Sequence, residues 1–304
     1  MTGSGTVLLL CTLSTLMILS RSADIILPAS AGSSGPTVAL IIVHGAEIGP
    51  SAYTPLATSI QEHSDLSLWV GIPKVDLNVP GSLAKAADRI LGEMKNEGMS
   101  TSTVFYAGHS YGSLKVQEYC YEYSSNCTGT MLLAGFLLRN ASGYSYSKGY
   151  PTPTLTIGGE LDGLTRLTRL MESYYHQVQT QPVSLGYKFP VVVLQGATHM
   201  QWASGTPPPL VKKYDLRPEV SDDDAHSTMG DAIAGWMDFI LDSSNTLAMD
   251  KVSQYIQQTS TMLAPLIEAF YRESYYYFEV RAIAIYKRHR IEGFHIVAEH
   301  FASN

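Results

Sequence analysis

Short runs of almost wholly apolar residues recur along the chain, and between them lie longer stretches in which apolar side chains return every three or four positions. The runs are Val38-Ala39-Leu40-Ile41-Ile42-Val43, Leu66 to Gly71, Thr103 to Ala107, Thr128 to Phe136, Pro153 to Ile157 and Pro190 to Leu194. Bounded by Gly, Pro and Ser, runs of this kind predict buried strands. The intervening periodicity predicts helices over Ser51 to His63, Ser82 to Asn96, Ser110 to Tyr123 and Leu164 to Gln177, with another ending near Leu241. Continuous apolar strands that alternate with helices imply an α/β chain with a doubly wound, mostly parallel sheet, whose ligands sit at the carboxyl ends of the strands.

Those carboxyl ends carry the chemistry. The run from Thr103 leads into Gly108-His109-Ser110-Tyr111-Gly112, a G-x-S-x-G pentapeptide between a strand and a helix. A serine hydroxyl is a weak nucleophile until a sharp turn holds it where a histidine can reach it, and glycines let the backbone close that turn. The run Val38 to Val43 ends in His44-Gly45-Ala46. In a serine hydrolase such a loop supplies one oxyanion donor and the residue after the nucleophile the other, so the amides of Ala46 and Tyr111 are the candidates. The run from Pro153 ends in Gly158-Gly159-Glu160-Leu161-Asp162-Gly163, and the run from Pro190 in Gly196-Ala197-Thr198-His199. Taken singly, a serine between glycines is a turn, an acid before a helix is a cap and a histidine after a strand is a loop residue.

Serine, acid and histidine in that order, each after its own strand, give the chain its resemblance to the α/β-hydrolases, which covers roughly Ser34 to Leu241. Residue by residue, the resemblance implies Ser110 as nucleophile, Asp162 as acid and His199 as general base. Glu160 is the alternative acid; the G-x-x-D spacing from Gly159 favours Asp162. The implied activity is cleavage of a carboxylic ester through an acyl-enzyme, on a small-molecule or lipid substrate and without a cofactor. An acyltransferase or peptidase on the same triad is the alternative, and a non-catalytic binding protein on the same fold is the reading from another class. Tyr53, Met200 and Trp202 are candidates for lining the substrate pocket, with ordinary packing as the competing reading.

Composition narrows the partners. The 304 residues are 45% hydrophobic and 15% charged, enough for one large core, and the net charge of -7 disfavours a polyanionic partner. The sequence has no phosphate loop, no paired C-x-x-C and no basic, aromatic-interleaved patch in its core. Ser221-Asp222-Asp223-Asp224 could pass for a metal cluster, but acids behind a serine at the start of a helix read better as a cap, so no metal is expected.

The ends differ from the centre. Val7 to Ser20 is apolar, with small residues around Ser20-Arg21-Ser22, so residues 1–22 read as a signal peptide and the protein as secreted; an uncleaved anchor is the alternative. Asn126-Cys127-Thr128 and Asn140-Ala141-Ser142 are glycosylation sequons, and Cys120 and Cys127 form an even pair once Cys11 is removed, so a disulfide between them is expected. Only about sixteen residues separate Phe136 from Pro153, too few for a large inserted cap, and the loop Gln201 to Pro218 is the candidate cover instead. Residues 23–243 therefore read as the catalytic domain and 244–304 as an extension without an assigned role. The extension has helical spacing interrupted by Pro265, an aromatic stretch at Tyr275 to Phe278, and a basic Lys287-Arg288-His289-Arg290 better read as a solvated turn than as a membrane contact.

Overall fold

The computed structural model describes residues 23–79, 81–138 and 149–272. The expected signal segment, the Asn140 sequon, the aromatic stretch and the basic cluster near the end lie outside the described residues. Seven strands form one sheet: β1 (Ile25–Leu27), β2 (Thr37–Val43), β3 (Ser67–Ile72), β4 (Val104–His109), β5 (Gly129–Leu133), β6 (Thr154–Gly159) and β7 (Val191–Leu194). Their spatial order is β1-β3-β2-β4-β5-β6-β7, and every pair is parallel except β1 with β3.

Alternation along β2 shows why this strand is central. Val38, Leu40 and Ile42 enter the core on one side, Ala39, Ile41 and Val43 the core on the other, and all six are wholly buried. A strand covered on both faces needs apolar residues at every position. Helices α1 (Thr54–Glu62) and α7 (Asp222–Leu241) cover the first face, and α2 (Ser82–Asn96) with α3 (Tyr111–Glu122) the second. Ser221 starts α7 by accepting the Asp224 amide at 3.1 Å, with Asp222, Asp223 and Asp224 in the first turn, so this acidic run is a cap and a dipole partner.

Smaller helices follow β6 and β7: α4 (Leu167–Tyr174), α5 (Val183–Lys188) and α6 (Pro209–Tyr214). Residues of the extension form α8 (Thr246–Arg272), which runs through Pro265 without a break. Its Leu263, Leu266 and Ile267 pack on Val191 and Val193 of β7 and on Leu170 and Met171 of α4. Buried Thr259 accepts the Val193 amide at 2.9 Å, so the helix satisfies an edge strand's free donor as well as covering its side chains. Among the described residues no helix is long and apolar enough to cross a membrane. Cys120 and Cys127 are joined by a disulfide at the end of α3, with Cα atoms 5.7 Å apart, and Asn126 beside it is exposed.

The connection from β2 goes to β3 on one side, and the chain then crosses to β4 on the other. The carboxyl ends of β2 and β4 therefore flank the topological switch point, where a doubly wound sheet leaves a crevice for ligand. His44-Gly45-Ala46 and Ser110 follow these two strand ends.

Candidate active site

Ser110 has φ 53° and ψ -119°, a left-handed conformation that a residue with a Cβ adopts at a cost of about 1–3 kcal/mol. Its surroundings hold it there. The Ser110 amide donates to Leu133 O at 2.9 Å, and its carbonyl accepts from the Ser113 amide at 2.9 Å and from Ser113 Oγ at 2.6 Å. The two glycines of the pentapeptide are required by close approach. A Cβ on Gly108 would lie 2.3 Å from Gly112 O, and one on Gly112 would lie 2.5 Å from His44 O. The turn from β4 into α3 thus presses against the end of β2 and leaves the Ser110 side chain half-buried at the start of a helix.

The acid and the histidine come from loops further along the sheet, after β6 and β7, with β5 between these strands and β4. Asp162 follows β6; its Oδ1 accepts from the amides of Leu164 at 2.8 Å and Thr165 at 2.6 Å, and its Oδ2 accepts from His199 Nδ1 at 2.8 Å. Glu160 faces elsewhere: it accepts the Gly196 amide at 2.9 Å, holding the turn after β7. His199 follows β7 and is 1% exposed, and its ring lies 4.9 Å from that of His109, the neighbour of Ser110 in sequence. Since Nδ1 donates to the carboxylate, Nε2 carries the lone pair, and this buried atom has no hydrogen-bond partner.

Burial would lower the affinity of His199 for a proton, but the attraction and hydrogen bond of Asp162, helped by Asp215, outweigh it and hold the imidazole above its ordinary value. Burial pushes the Asp162 carboxyl above the usual carboxylate range, against the opposing pull of His199. His109 is driven well below the ordinary histidine value by burial and by the neighbouring His199.

Around the proposed oxyanion position, Tyr111 is the first residue of α3, so its amide has no acceptor within the helix. Ala46 is exposed in the loop after β2. The peptide before Ala46 is fixed by His44, whose Nε2 accepts the Val75 amide at 3.2 Å and whose Nδ1 therefore donates to Gly45 O at 2.8 Å. In a trans peptide the N–H points opposite to the C=O, so anchoring Gly45 O fixes the Ala46 amide on the side away from the His44 ring.

Two of the expected pocket residues are not in a pocket. Tyr53 and Trp202 are 0% exposed, which leaves no face for a substrate. Tyr53 is buried because its hydroxyl is spent on the scaffold, with the Gly45 amide at 2.7 Å and His109 Nδ1 at 2.8 Å, and Trp202 is packed in the core with α1 and α7. Met200 is half-buried against the same core.

The structure adds a residue that sequence reasoning passed over. Asp215, just after α6, accepts the His199 amide at 3.0 Å and the Gly163 amide at 3.2 Å through Oδ1, and the Met200 amide at 2.8 Å through Oδ2. One carboxylate thus ties the acid loop to the histidine loop. The segment expected as a cover is therefore stitched down at this end, and Ser204 holds it at the other by donating its amide to Ala52 O at 2.8 Å. No motif marks Asp215; its only sequence signal is an acid in a long loop just after the histidine. Among the described residues no three His, Cys, Asp or Glu side chains converge as metal ligands.

Strand order, a left-handed serine between β4 and α3, and the acid and histidine loops after β6 and β7, two and three strands along, are now all in place. This is the α/β-hydrolase fold.

Similar architecture occurs in solved structures. An α-β serine hydrolase homologue from Coxiella burnetii is 17% identical, with 58% of this chain and 82% of that one covered at a TM-score of 0.42. Est1E from Butyrivibrio proteoclasticus is 11% identical over 71% of this chain and 94% of its own, at 0.44. An α/β serine hydrolase without a lid from Xanthomonas campestris is 16% identical over 60% and 90%, at 0.40. No family model and no curated protein sequence matches the chain. The fold assignment rests on the chain's own strand order and elbow.

Proposed function

We propose that the chain is a serine hydrolase that cleaves carboxylic esters through an acyl-enzyme. The observation that carries this reading is the buried His199–Asp162 pair at 2.8 Å, with an unpartnered Nε2, in the loop next to the strained Ser110 turn. In the proposed cycle Ser110 Oγ attacks the ester carbonyl carbon as His199 Nε2 takes its proton, and the Ala46 and Tyr111 amides receive the negative oxygen. The tetrahedral intermediate collapses, the C–O bond to the alcohol breaks, and His199 returns the proton to the departing alkoxide. Water then repeats the sequence on the acyl-enzyme, losing its proton to His199 and releasing the acid and free Ser110. Asp162 stabilises the imidazolium and keeps the ring in the tautomer that leaves Nε2 open. Apo enzymes commonly tighten the serine–histidine contact only when substrate binds.

The test is covalent labelling by a fluorophosphonate together with turnover of soluble esters that differ in acyl and alcohol size. Both are expected for the wild-type chain and neither for Ser110→Ala. Turnover by folded Ser110→Ala refutes the mechanism, and partitioning of the acyl-enzyme to added alcohol in preference to water would reassign the enzyme as an acyltransferase. We also propose that the protein is secreted. The Cys120–Cys127 disulfide supports this, because such bonds persist in oxidising compartments.

A further inference from the structure

His109 is fully buried one residue before the proposed nucleophile, and the catalytic cycle above gives it nothing to do. Its hydrogen bonds fix where its proton sits. His109 Nε2 lies 3.1 Å from the carbonyl oxygen of His199, which can only accept, so Nε2 carries the hydrogen. On the other side Nδ1 meets the hydroxyl of Tyr53 at 2.8 Å. That hydroxyl already accepts the Gly45 amide at 2.7 Å, and its own proton needs a buried acceptor, which only Nδ1 provides. The direction is therefore set along the whole path: Gly45 N–H to Tyr53 O, Tyr53 O–H to His109 Nδ1, His109 Nε2–H to His199 C=O.

The ends of this path are the two halves of the proposed machinery. Gly45 precedes Ala46 in the oxyanion loop, and His199 is the base. Side-chain size at the crossing point agrees: a Cβ on Gly45 would lie 3.0 Å from His109 Nδ1 and 3.3 Å from Tyr53 Oη, tighter than ordinary contact. We propose that Tyr53 and His109 are positioning residues, a proton-ordered relay that sets the oxyanion loop against the catalytic histidine. The Tyr53 phenol, expected from sequence to touch substrate, acts through the backbone instead. The ring of His109 is faced by Tyr53, His199 and His44, and no carboxylate hydrogen-bonds it.

This inference rests on the serine-hydrolase reading, and a double-mutant cycle separates the two. Tyr53→Phe removes one oxygen and leaves the ring in place; His109→Gln keeps a donor reaching towards His199 O while giving up the acceptor for Tyr53. Each single variant is expected to lower kcat about tenfold with KM little changed, because the positioning of groups that act in the transition state is lost and substrate contacts are not. The double variant should be no slower than the slower single one, since both changes cut the same link. Additive losses, a loss confined to KM, or wild-type kcat in folded Tyr53→Phe overturns the relay while wild-type turnover leaves the hydrolase reading intact. If the wild-type chain turns over no ester, the relay is still read by long-range 1H–15N spectra of the imidazoles. Those should show His109 neutral with its hydrogen on Nε2, and a hydrogen on Nδ1 overturns it.

Discussion

Substituting Gly112→Ala tests how closely the start of α3 must approach β2. The added Cβ would lie 2.5 Å from His44 O and 2.6 Å from Val43 O, both backbone atoms that cannot swing aside. Real contacts of this kind begin near 3.0 Å, so helix and strand must separate by about half an ångström, measured from the 2.5 Å contact. Overpacking of this type costs about 1–3 kcal/mol. The functional consequence follows from what the two sides carry: Ser110 and the Tyr111 amide ride on the helix, and Ala46 follows the strand. An error of about 1 Å in such a constellation costs about a hundredfold, so half that displacement should cost on the order of tenfold in kcat. Steady-state kinetics on a soluble ester, with urea unfolding of the same preparation, reads both effects. Gly92→Ala is the control, because Gly92 lies within α2 and a Cβ there meets nothing within 4 Å; it should gain about 0.5–1 kcal/mol and leave kcat unchanged. Wild-type kcat in a folded Gly112→Ala protein would refute the close-approach reasoning.

The other expectations concern the acid, the histidine and the helix opposite. Asp162→Asn should lower kcat by about 10³ to 10⁴-fold by releasing the His199 tautomer, whereas Glu160→Gln keeps an acceptor for the Gly196 amide and should stay near wild type; the reverse ranking in a kinetic comparison reassigns the acid. The acid limb of kcat/KM should lie above the ordinary histidine value of about 6.5, because His199 must lose its proton to act and its folded-state value is raised. Removing a negative charge disfavours the imidazolium, so Asp215→Asn should move that limb to lower pH and also reduce kcat; an unmoved or higher limb in the pH–rate profile counts against Asp215. Asp238 is pushed up to about 6, first by burial and then by Asp65. A raised folded-state value means that its stabilisation is present below about 3.9 and lost as pH rises through about 6, so Asp238→Asn should stabilise the protein at pH 8 and do little below pH 4. For a half-buried group, solvent screening limits the gain to about 1 kcal/mol, readable as a rise in Tm, and a fall in Tm at pH 8 refutes it.

How far the sequence could be read depended on whether one element sufficed. β2 was legible because both its faces are buried, and α2 because its apolar stripe runs uninterrupted from Leu83 to Met94. The three residues of β1 carry no periodicity of their own and are a strand only because Ile25, Ile26 and Leu27 pair with β3. Pro265 reads locally as a break, yet α8 continues because Leu263, Leu266 and Ile267 bury on both sides of it, and this packing outweighs one missing hydrogen bond. The order of Ser110, Asp162 and His199 survives in sequence because each sits directly after a strand. Tyr53 and Asp215 act through partners in other loops. The hydroxyl of Tyr53 reaches a ring 56 positions away, and Asp215 returns to an amide 16 positions back, so from sequence the tyrosine reads as a pocket wall and the acid is passed over.

Counting protons across the three histidines of the site shows why one of them is free to act. A neutral imidazole has one donor and one acceptor. His44 spends its donor on Gly45 O and its acceptor on the Val75 amide; His109 spends its donor on His199 O and its acceptor on the Tyr53 hydroxyl. His199 spends only its donor, on Asp162, and keeps the acceptor on Nε2 open. Protonating His109 would put a second hydrogen where the Tyr53 hydroxyl already points, at a fully buried ring with no hydrogen-bonded carboxylate. Within this cluster, Nε2 of His199 is therefore the position where a proton can arrive with a counter-ion behind it. The same geometry leaves Nε2 of His199, in the loop beside Ser110, as the open acceptor among the three rings.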